Sequence, residues 1–180
     1  MSKSIIRVGM TGTGKSYYVV NDIIPKCKNA LILDIYAEDK YKDFETVEIG
    51  KYTGGIRKIS CEGKNMDLLF DKFINYVYDL KNTCIVIEDC SLFLNSNVDS
   101  SFKTLLIKKR HKNINYVLLF HSLNQIPPFV FELSKYLVLS KTNDTPQKIW
   151  AKFGREDLNQ LYETVKASSN SYERQVLKII

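Results

Sequence analysis

Eight residues near the start of the chain have the types and spacing that a phosphate-binding loop requires. Residues 9–16 read Gly-Met-Thr-Gly-Thr-Gly-Lys-Ser, which fits the pattern G-x-x-x-x-G-K-[ST] at every constrained position. In such a loop the backbone N–H groups cradle phosphates, and the start of the following helix adds partial positive charge. The sequence therefore predicts a binding site for ATP. The residues predicted to contact the nucleotide are Gly9, Met10, Thr11, Gly12, Thr13, Gly14, Lys15, Ser16 and Tyr17.

Two side chains at the end of this loop have separate predicted roles. Lys15 is expected to reach the β- and γ-phosphates, and the hydroxyl of Ser16 is expected to ligate Mg²⁺. The glycines of the loop permit positive φ angles and a close approach of the backbone to the phosphates. The alternative is a glycine-rich turn with an incidental lysine. It is disfavoured because an apolar run precedes the loop and a helical pattern follows it.

An acidic pair supplies the second half of the predicted site. Glu88 and Asp89 directly follow an apolar run at residues 84–87, and this arrangement resembles a Walker B motif. Glu88 is predicted to hold the Mg²⁺ shell, directly or through water, and Asp89 to orient and deprotonate the attacking water. In P-loop ATPases with an added catalytic glutamate the usual order is Asp then Glu, so these two roles could be exchanged here. An acidic pair that merely ends a strand is the alternative interpretation.

Polar residues follow a third apolar run, at residues 116–120. In ATPases of this type, a strand between the phosphate-loop strand and the Walker B strand ends in a polar residue that senses the γ-phosphate. Ser122, Asn124 and Gln125 are candidates, and we assign the role to Gln125; His121 ranks below them. An ordinary turn-forming residue is the alternative for each.

The densest basic cluster of the chain is Lys-Lys-Arg-His-Lys at residues 108–112. We interpret Arg110 as an arginine finger that reaches the γ-phosphate in a neighbouring subunit, with the lysines facing DNA. A solvated helix end, where cations suit the helix dipole, has equal weight. Arg155 is a second, weaker finger candidate. Arg7 lies inside the first predicted strand, where it is expected to pair with a carboxylate and has no predicted catalytic role.

Predicted strands and helices alternate along the chain. The predicted strands cover residues 5–8, 30–35, 56–61, 83–87, 116–120, 136–140 and 175–180. The predicted helices cover residues 15–24, 65–80, 99–109, 129–134, 148–152 and 156–166. This alternation predicts a three-layer α/β/α sandwich with a mainly parallel central sheet. Ligands in such sheets bind at the carboxyl ends of the strands, where the phosphate-binding loop would lie.

Length and composition narrow the class of protein further. A chain of 180 residues predicts one domain, which we divide into an ATPase core at 1–144 and a C-terminal extension at 145–180 that packs on the core. The net charge of +6 gives weak support for an anionic partner such as nucleic acid. None of the four cysteines forms a C-x-x-C pair, which indicates a reducing cytoplasm and, for Cys84, a reduced core thiol. No apolar run is long enough to cross a bilayer, so no stable membrane insertion is expected.

Taken together, these motifs resemble the FtsK–HerA superfamily of P-loop ATPases. The resemblance covers roughly residues 5–141, and only the Walker motifs within it are specific. It is greatest to the small genome-packaging ATPases of bacterial viruses, and next to the zonula-occludens-toxin-like assembly proteins of filamentous phages. The segments that carry it are residues 9–16, 31–34, 84–89, 110–111 and 125–127.

The resemblance implies a RecA-like fold and a homo-oligomeric ring, a pentamer or hexamer, that hydrolyses ATP at subunit interfaces to drive DNA translocation. It further implies a viral genome as the DNA partner, a capsid or portal component as docking partner, and a location in the host cytoplasm with transient association at the procapsid. Single-stranded and double-stranded DNA both fit. The zonula-occludens-toxin-like proteins carry a transmembrane segment that this sequence lacks, which favours packaging over filamentous-phage-type assembly.

Two further classes of P-loop protein remain as alternatives. A small nucleotide or metabolite kinase would suit the length, but kinases usually carry an arginine-rich lid. No arginine cluster follows the predicted Walker B strand apart from residues 108–112. A nucleotide-binding switch that scarcely hydrolyses ATP is the other alternative.

Overall fold

Seven strands form one sheet at the centre of the molecule. The structure, a computed structural model, describes residues 3–36, 39–61, 65–94 and 100–180, without the side chains of Asp67, Ser100 and Arg110. The strands are β1 (Ser4–Val8), β2 (Ala30–Asp34), β3 (Ile56–Ser60), β4 (Cys84–Ile87), β5 (Asn115–Phe120), β6 (Tyr136–Leu139) and β7 (Gln175–Lys178).

The order of the strands across the sheet is β3-β2-β4-β5-β1-β6-β7. Every neighbouring pair is parallel except β6 and β7, which are antiparallel. The mainly parallel sheet of the sequence prediction is therefore confirmed. β5 lies between β1 and β4, as predicted for the strand that carries the sensor residue. The loops after β1, β4 and β5 consequently meet at the same edge of the sheet.

Six α-helices connect the strands in the described part of the chain. They are α1 (Lys15–Tyr18), α2 (Met66–Val77), α3 (Ser100–Lys112), α4 (Pro128–Glu132), α5 (Pro146–Phe153) and α6 (Glu156–Ala167). The helix predicted over residues 15–24 changes its hydrogen-bonding pattern along its length. After α1 it continues as a π-helix at Val19–Ile23 and closes in a 3₁₀ turn at Ile24–Lys26, with Pro25 near its end.

Alternate strand residues enter two hydrophobic clusters, one on each face of the sheet, which is the expected result for strands covered on both sides. On one face the helices contribute Phe73, Phe102 and Leu158, all fully or almost fully buried. On the other face Val19 of the π-helix and Tyr41 cover the strands. The molecule is therefore a three-layer α/β/α sandwich, as predicted.

The segment after residue 144 completes this sheet. β7 pairs with β6, and α5 and α6 bury Ile149 and Leu158 in the larger of the two clusters. Cys84 is a free thiol buried at the start of β4, as predicted for a core cysteine. Within the described ranges of the chain, no helix has both the length and the apolar character needed to cross a membrane.

Candidate nucleotide-binding site

The phosphate-binding loop leaves β1 and is fixed to the two strands beside it. The N–H of Gly9 donates to the carbonyl oxygen of Phe120 at 3.2 Å, and the N–H of Met10 donates to that of Lys141 at 2.8 Å. A single hydrogen-bond acceptor, the Met10 carbonyl oxygen, then holds the turn of the loop. The backbone N–H and the hydroxyl of Thr13 both donate to the Met10 carbonyl oxygen, at 3.3 and 2.8 Å. These bonds set the curvature of the loop from both sides.

Glycine is required at two positions of this loop. A Cβ on Gly9 would lie 2.4 Å from the hydroxyl oxygen of Thr13 and 3.0 Å from the Cβ of Ser140, so no side chain fits there. Gly14 precedes α1 with a φ of 74°, a left-handed conformation in which L side chains are strained. The spacing of the sequence motif therefore follows from the geometry of the turn.

Lys15 is buried at the centre of the site. Its ammonium donates to the carbonyl oxygens of Gly9 at 2.6 Å and Met10 at 3.3 Å, and it lies 3.2 Å from Nδ1 of His121. Burial lowers the pKa of Lys15 to about 8, although Asp89 nearby favours the charged form. The charge predicted to meet the phosphates is thus held in a poorly solvated place, where its interactions are strong.

Glu88 and Ser16 meet at the carboxyl ends of β4 and β1. Their side chains line the same cavity, and the hydroxyl of Tyr41 donates to Oε1 of Glu88. Burial raises the pKa of the Glu88 carboxyl, while Lys40 and the two hydroxyl groups oppose that shift. One carboxylate with one hydroxyl suits Mg²⁺, which usually keeps several waters and takes its remaining ligands from phosphates. Among the described residues, no group of three or more His, Cys, Asp and Glu side chains could hold a metal ion by itself.

Asp89 turns away from Glu88 and contacts His121. Asp89 has a φ of 43°, an unusual left-handed conformation for a residue other than glycine, and such conformations cluster at functional sites. Its Oδ1 lies 2.5 Å from Nε2 of His121. Because the Lys15 ammonium can only donate, Nδ1 of His121 is the acceptor and Nε2 carries the hydrogen. A continuous hydrogen-bonded chain therefore joins Lys15, His121 and Asp89.

The three residues ranked above His121 as sensors lie elsewhere. Ser122 and Asn124 belong to a turn that is held by Asp144, which accepts hydrogen bonds from the hydroxyl of Ser122 and from the N–H groups of Leu123 and Asn124. Gln125 is exposed and does not line the cavity described below. This placement favours His121 as the residue of this strand end that acts in the site.

A cavity of about 800 Å³ lies over the loop. Its lining includes eight residues predicted from the sequence, namely Thr11, Gly12, Gly14, Lys15, Ser16, Tyr17, Glu88 and Asp89. Gly9, Met10 and Thr13 form the base of the loop without lining the cavity. The lining also includes residues that the sequence analysis did not assign to the nucleotide, namely Val20, Asn21, Lys40, His121, Tyr172 and Arg174. Tyr172 and Arg174 come from the segment before β7, which carries no recognisable motif.

Of the two finger candidates, Arg155 does not line this cavity. Arg110 belongs to the last turn of α3, but its side chain is outside the described part of the structure. Its neighbour Lys109 is buried and donates to the hydroxyl of Ser4 and the carbonyl oxygen of Leu133, at the amino end of β1. Lys109 thus faces the interior, contrary to the expectation that the lysines of this cluster face DNA. Arg155 forms a two-bond ion pair with Asp157 of its own chain.

Arg7 supports the loop from below. Its guanidinium donates to the hydroxyl of Ser140 at 2.8 Å, to the carbonyl oxygen of Val138 at 3.2 Å and to that of Thr13 at 3.5 Å. Burial lowers its pKa to about 10, with a further contribution from the charge of Arg174. Among the described residues, no carboxylate pairs with Arg7, so the expectation of such a partner was wrong. The backbone carbonyls beneath the loop take that place.

Several of the solved structures that align with this chain are of viral genome-packaging NTPases. The genome packaging NTPase B204 from Sulfolobus turreted icosahedral virus 2, in complex with AMPPCP, aligns with a TM-score of 0.80 over 99% of this chain and 93% of that chain, at 16% identity. This chain has the fold of a viral genome-packaging NTPase. The likeness extends through the C-terminal extension, since nearly the whole of both chains is matched.

Two other structures align less well. EssC (ATPases 2 and 3) from Geobacillus thermodenitrificans gives a TM-score of 0.53 at 12% identity, over 85% of this chain and 34% of that chain. The N-terminal domain of zonular occludens toxin from Neisseria meningitidis gives 0.49 at 12% identity, over 79% of this chain and 78% of that chain, which is too low to support an argument. No protein-family model matches the sequence, and no curated protein sequence matches it.

Proposed function

We propose that this protein is an ATP-hydrolysing DNA translocase that packages a viral genome as a homo-oligomeric ring. One observation carries the ATPase part: Lys15 and Ser16 at the end of β1 share a cavity with Glu88 and Asp89 at the end of β4. The packaging part is supported by the fold shared with a viral genome-packaging NTPase across almost the whole length of both chains.

In this proposal, the residues that line the cavity have different roles in the hydrolysis of ATP. Lys15 and the loop N–H groups bind the β- and γ-phosphates, while Ser16 and Glu88 hold Mg²⁺. When bound, Mg²⁺ neutralises charge that develops on the phosphate oxygens. Asp89 orients a water for in-line attack on the γ-phosphorus and accepts its proton as the β–γ bond breaks. His121 holds the Asp89 carboxylate in place and joins it to Lys15.

The oligomer completes the active site in this proposal. Arg110 reaches the γ-phosphate of the adjacent subunit in a pentameric or hexameric ring, and the exposed lysines of residues 108–112 contact the viral DNA. The ring acts in the host cytoplasm and docks transiently on a capsid or portal component of the procapsid.

The experiment that tests the proposal measures ATP turnover with and without DNA over a range of salt concentrations. DNA is expected to stimulate turnover, and the stimulation should fade as salt rises, because phosphate contacts release counterions. Lys15→Ala is the control and should abolish turnover while leaving the fold intact. Turnover that no DNA alters at any salt concentration would contradict the translocase, and transfer of phosphate to a small acceptor would indicate a kinase.

A further inference from the structure

The cavity has a second wall whose chemistry differs from that of the phosphate end. The strand order places the acidic pair on β4, His121 on β5 and the phosphate-binding loop on β1. On the opposite side of β1 lie β6 and then β7. Because β7 runs antiparallel and Gln175 pairs with Leu139 at the carboxyl end of β6, the residues before Gln175 reach the same edge as the loop. Tyr172 and Arg174 therefore close the cavity opposite the acids.

Local hydrogen bonds hold this segment in place. The N–H of Asn170 donates to the hydroxyl of Ser168 at 3.1 Å, and the side-chain oxygen of Asn170 accepts from the N–H of Tyr172 at 2.9 Å. Arg174 fastens the segment to the helix after the loop, because its guanidinium stacks on the ring of Tyr18 at 4.6 Å and pairs with Asp22 at 3.3 Å. The segment is thus positioned before any ligand reaches it.

The ring of Tyr172 lies beside the loop with most of its surface free. A Cβ built on Gly14 would lie only 3.3 Å from Cδ1 of this ring, yet the side chain is 66% exposed. Tyr17, Val20 and Asn21 line the same cavity. In a nucleotide, the ribose and the base follow the α-phosphate. An exposed aromatic ring beside a phosphate-binding loop offers a flat face on which that base can stack.

We propose that residues 168–174 form the nucleobase wall of the site and that the base stacks on Tyr172. This inference rests on the proposed nucleotide binding and adds the ligand group that the C-terminal extension recognises. Stacking uses the face of the base, so the Tyr172 ring holds adenine and guanine about equally well and contributes nothing to the binding of a triphosphate without a base.

The test compares ligands with and without a base. Calorimetric titrations of the parent protein and of Tyr172→Ala, Tyr172→Leu and Tyr172→Phe are made with ATP, GTP and inorganic tripolyphosphate. We expect Tyr172→Ala and Tyr172→Leu to bind both nucleotides about five- to tenfold more weakly, the lower part of the range measured for a lost base–aromatic stack. Tyr172→Phe keeps the ring and should bind like the parent. The affinity for tripolyphosphate should be the same in all four proteins.

The matched control is Tyr36→Ala, since Tyr36 is 57% exposed and lies outside the cavity lining. It should leave all three affinities unchanged. An equal loss of nucleotide and tripolyphosphate affinity in Tyr172→Ala would overturn the inference, because Tyr172 would then support the phosphates. Unchanged nucleotide affinity in Tyr172→Ala would overturn it also. A parent protein that binds none of the three ligands would instead contradict the proposed function.

Discussion

At the scale of single residues, the unusual feature is a chain of polar groups that runs from buried Lys15 through half-buried His121 to buried Asp89. Lys15 is predicted to bind the phosphates, and Asp89 is predicted to activate the attacking water. Because His121 contacts both residues, a shift of the Lys15 ammonium would change the hydrogen bond that His121 donates to the Asp89 carboxylate. In the proposed mechanism, this contact would connect the γ-phosphate to Asp89, the group proposed to activate water.

The lowered pKa of Lys15 predicts a pH dependence of nucleotide binding. Below about pH 8 the ammonium is already charged, so binding of the phosphates takes up no proton. Above that value the phosphates must first restore the charge, so binding takes up to one proton and affinity falls as the pH rises. Calorimetry in buffers of different ionisation enthalpy measures this uptake. Lys15→Arg, which stays charged, should show no uptake in whatever binding it retains.

The acidic pair predicts two different mutant phenotypes. Asp89→Asn should bind ATP with Mg²⁺ almost normally and lose turnover by about 10²–10⁴-fold, because a general base acts only in the transition state. Glu88→Gln should weaken the Mg²⁺-dependent part of ATP binding. Equilibrium titrations with and without Mg²⁺, beside steady-state rates, separate the two. The reverse result, with Glu88→Gln purely catalytic, would mean that the two roles are exchanged.

At the scale of elements, one aspartate connects the end of β5 with the C-terminal helices. Asp144 accepts three hydrogen bonds from the turn at residues 122–124, and its carbonyl oxygen accepts one from the hydroxyl of Tyr162 in α6. The turn directly after His121 is therefore tied to the helix that leads to the nucleobase wall. Asp144 thus connects the two sides of the cavity, namely the end of β5 and the nucleobase wall.

Asp144→Asn should destabilise the protein by about 1–3 kcal/mol, because an amide donor would face the N–H groups that the carboxylate now accepts. Urea unfolding followed by circular dichroism measures the free energy of unfolding. The control is Asp157→Asn, whose ion pair with Arg155 is partly exposed and is worth less than about 1 kcal/mol. Equal losses in the two variants would show that the turn at residues 122–124 does not depend on Asp144.

The elements around the motifs were predictable, because periodicity and apolar runs report local structure directly. All seven strands form where they were expected, with ends that differ by one or two residues. The π-helix at Val19–Ile23 was not predictable, because apolar spacing indicates a helix without specifying whether its hydrogen bonds span four or five residues. β7 was placed along the chain, but nothing in its sequence indicates that it pairs antiparallel beside β6.

The residues of the candidate site divide in the same way, into those that a local motif indicates and those whose position depends on the order of strands in the sheet. Lys15, Ser16 and the acidic pair were identified because their motifs are local and the strand before each is recognisable. His121 lines the cavity, whereas the three candidates ranked above it do not, and its position opposite Asp89 depends on the pairing of two strands, which a linear sequence does not reveal. Tyr172 was missed because a polar stretch before an edge strand looks like an ordinary loop until the sheet order is known.

At the scale of the whole molecule, the nucleotide site and the end of α3 lie at opposite edges of the sheet. The loop is at the carboxyl end of β1, whereas Lys109, next to Arg110, contacts the residues at the amino end of the same strand. Arg110 would therefore have to serve the site of another subunit. A head-to-tail contact between unlike surfaces, repeated around a closed ring, provides such an arrangement.

The trans role of Arg110 predicts complementation between two inactive variants. Arg110→Ala should bind ATP normally and hydrolyse it about 10³–10⁵-fold more slowly. Mixed with Lys15→Ala, it should regain turnover, because a Lys15→Ala subunit can supply an intact Arg110 to a neighbouring site whose Lys15 is intact. Steady-state rates over a range of mixing ratios measure the recovery. If mixed rings form and no ratio restores turnover, Arg110 is only a solvated helix end.

The order of strands in the sheet has a consequence for how the molecule acquires its site. β1 is synthesised first, but its two neighbours, β5 and β6, come from the second half of the chain. Until they emerge from the ribosome, the loop lacks the Phe120 and Lys141 carbonyls that curve it. Pairing between such distant segments is slow, because a large loop of chain must close before any contact stabilises it. We therefore expect the capture of nucleotide to be a late event in folding, which requires a chain synthesised past Lys141.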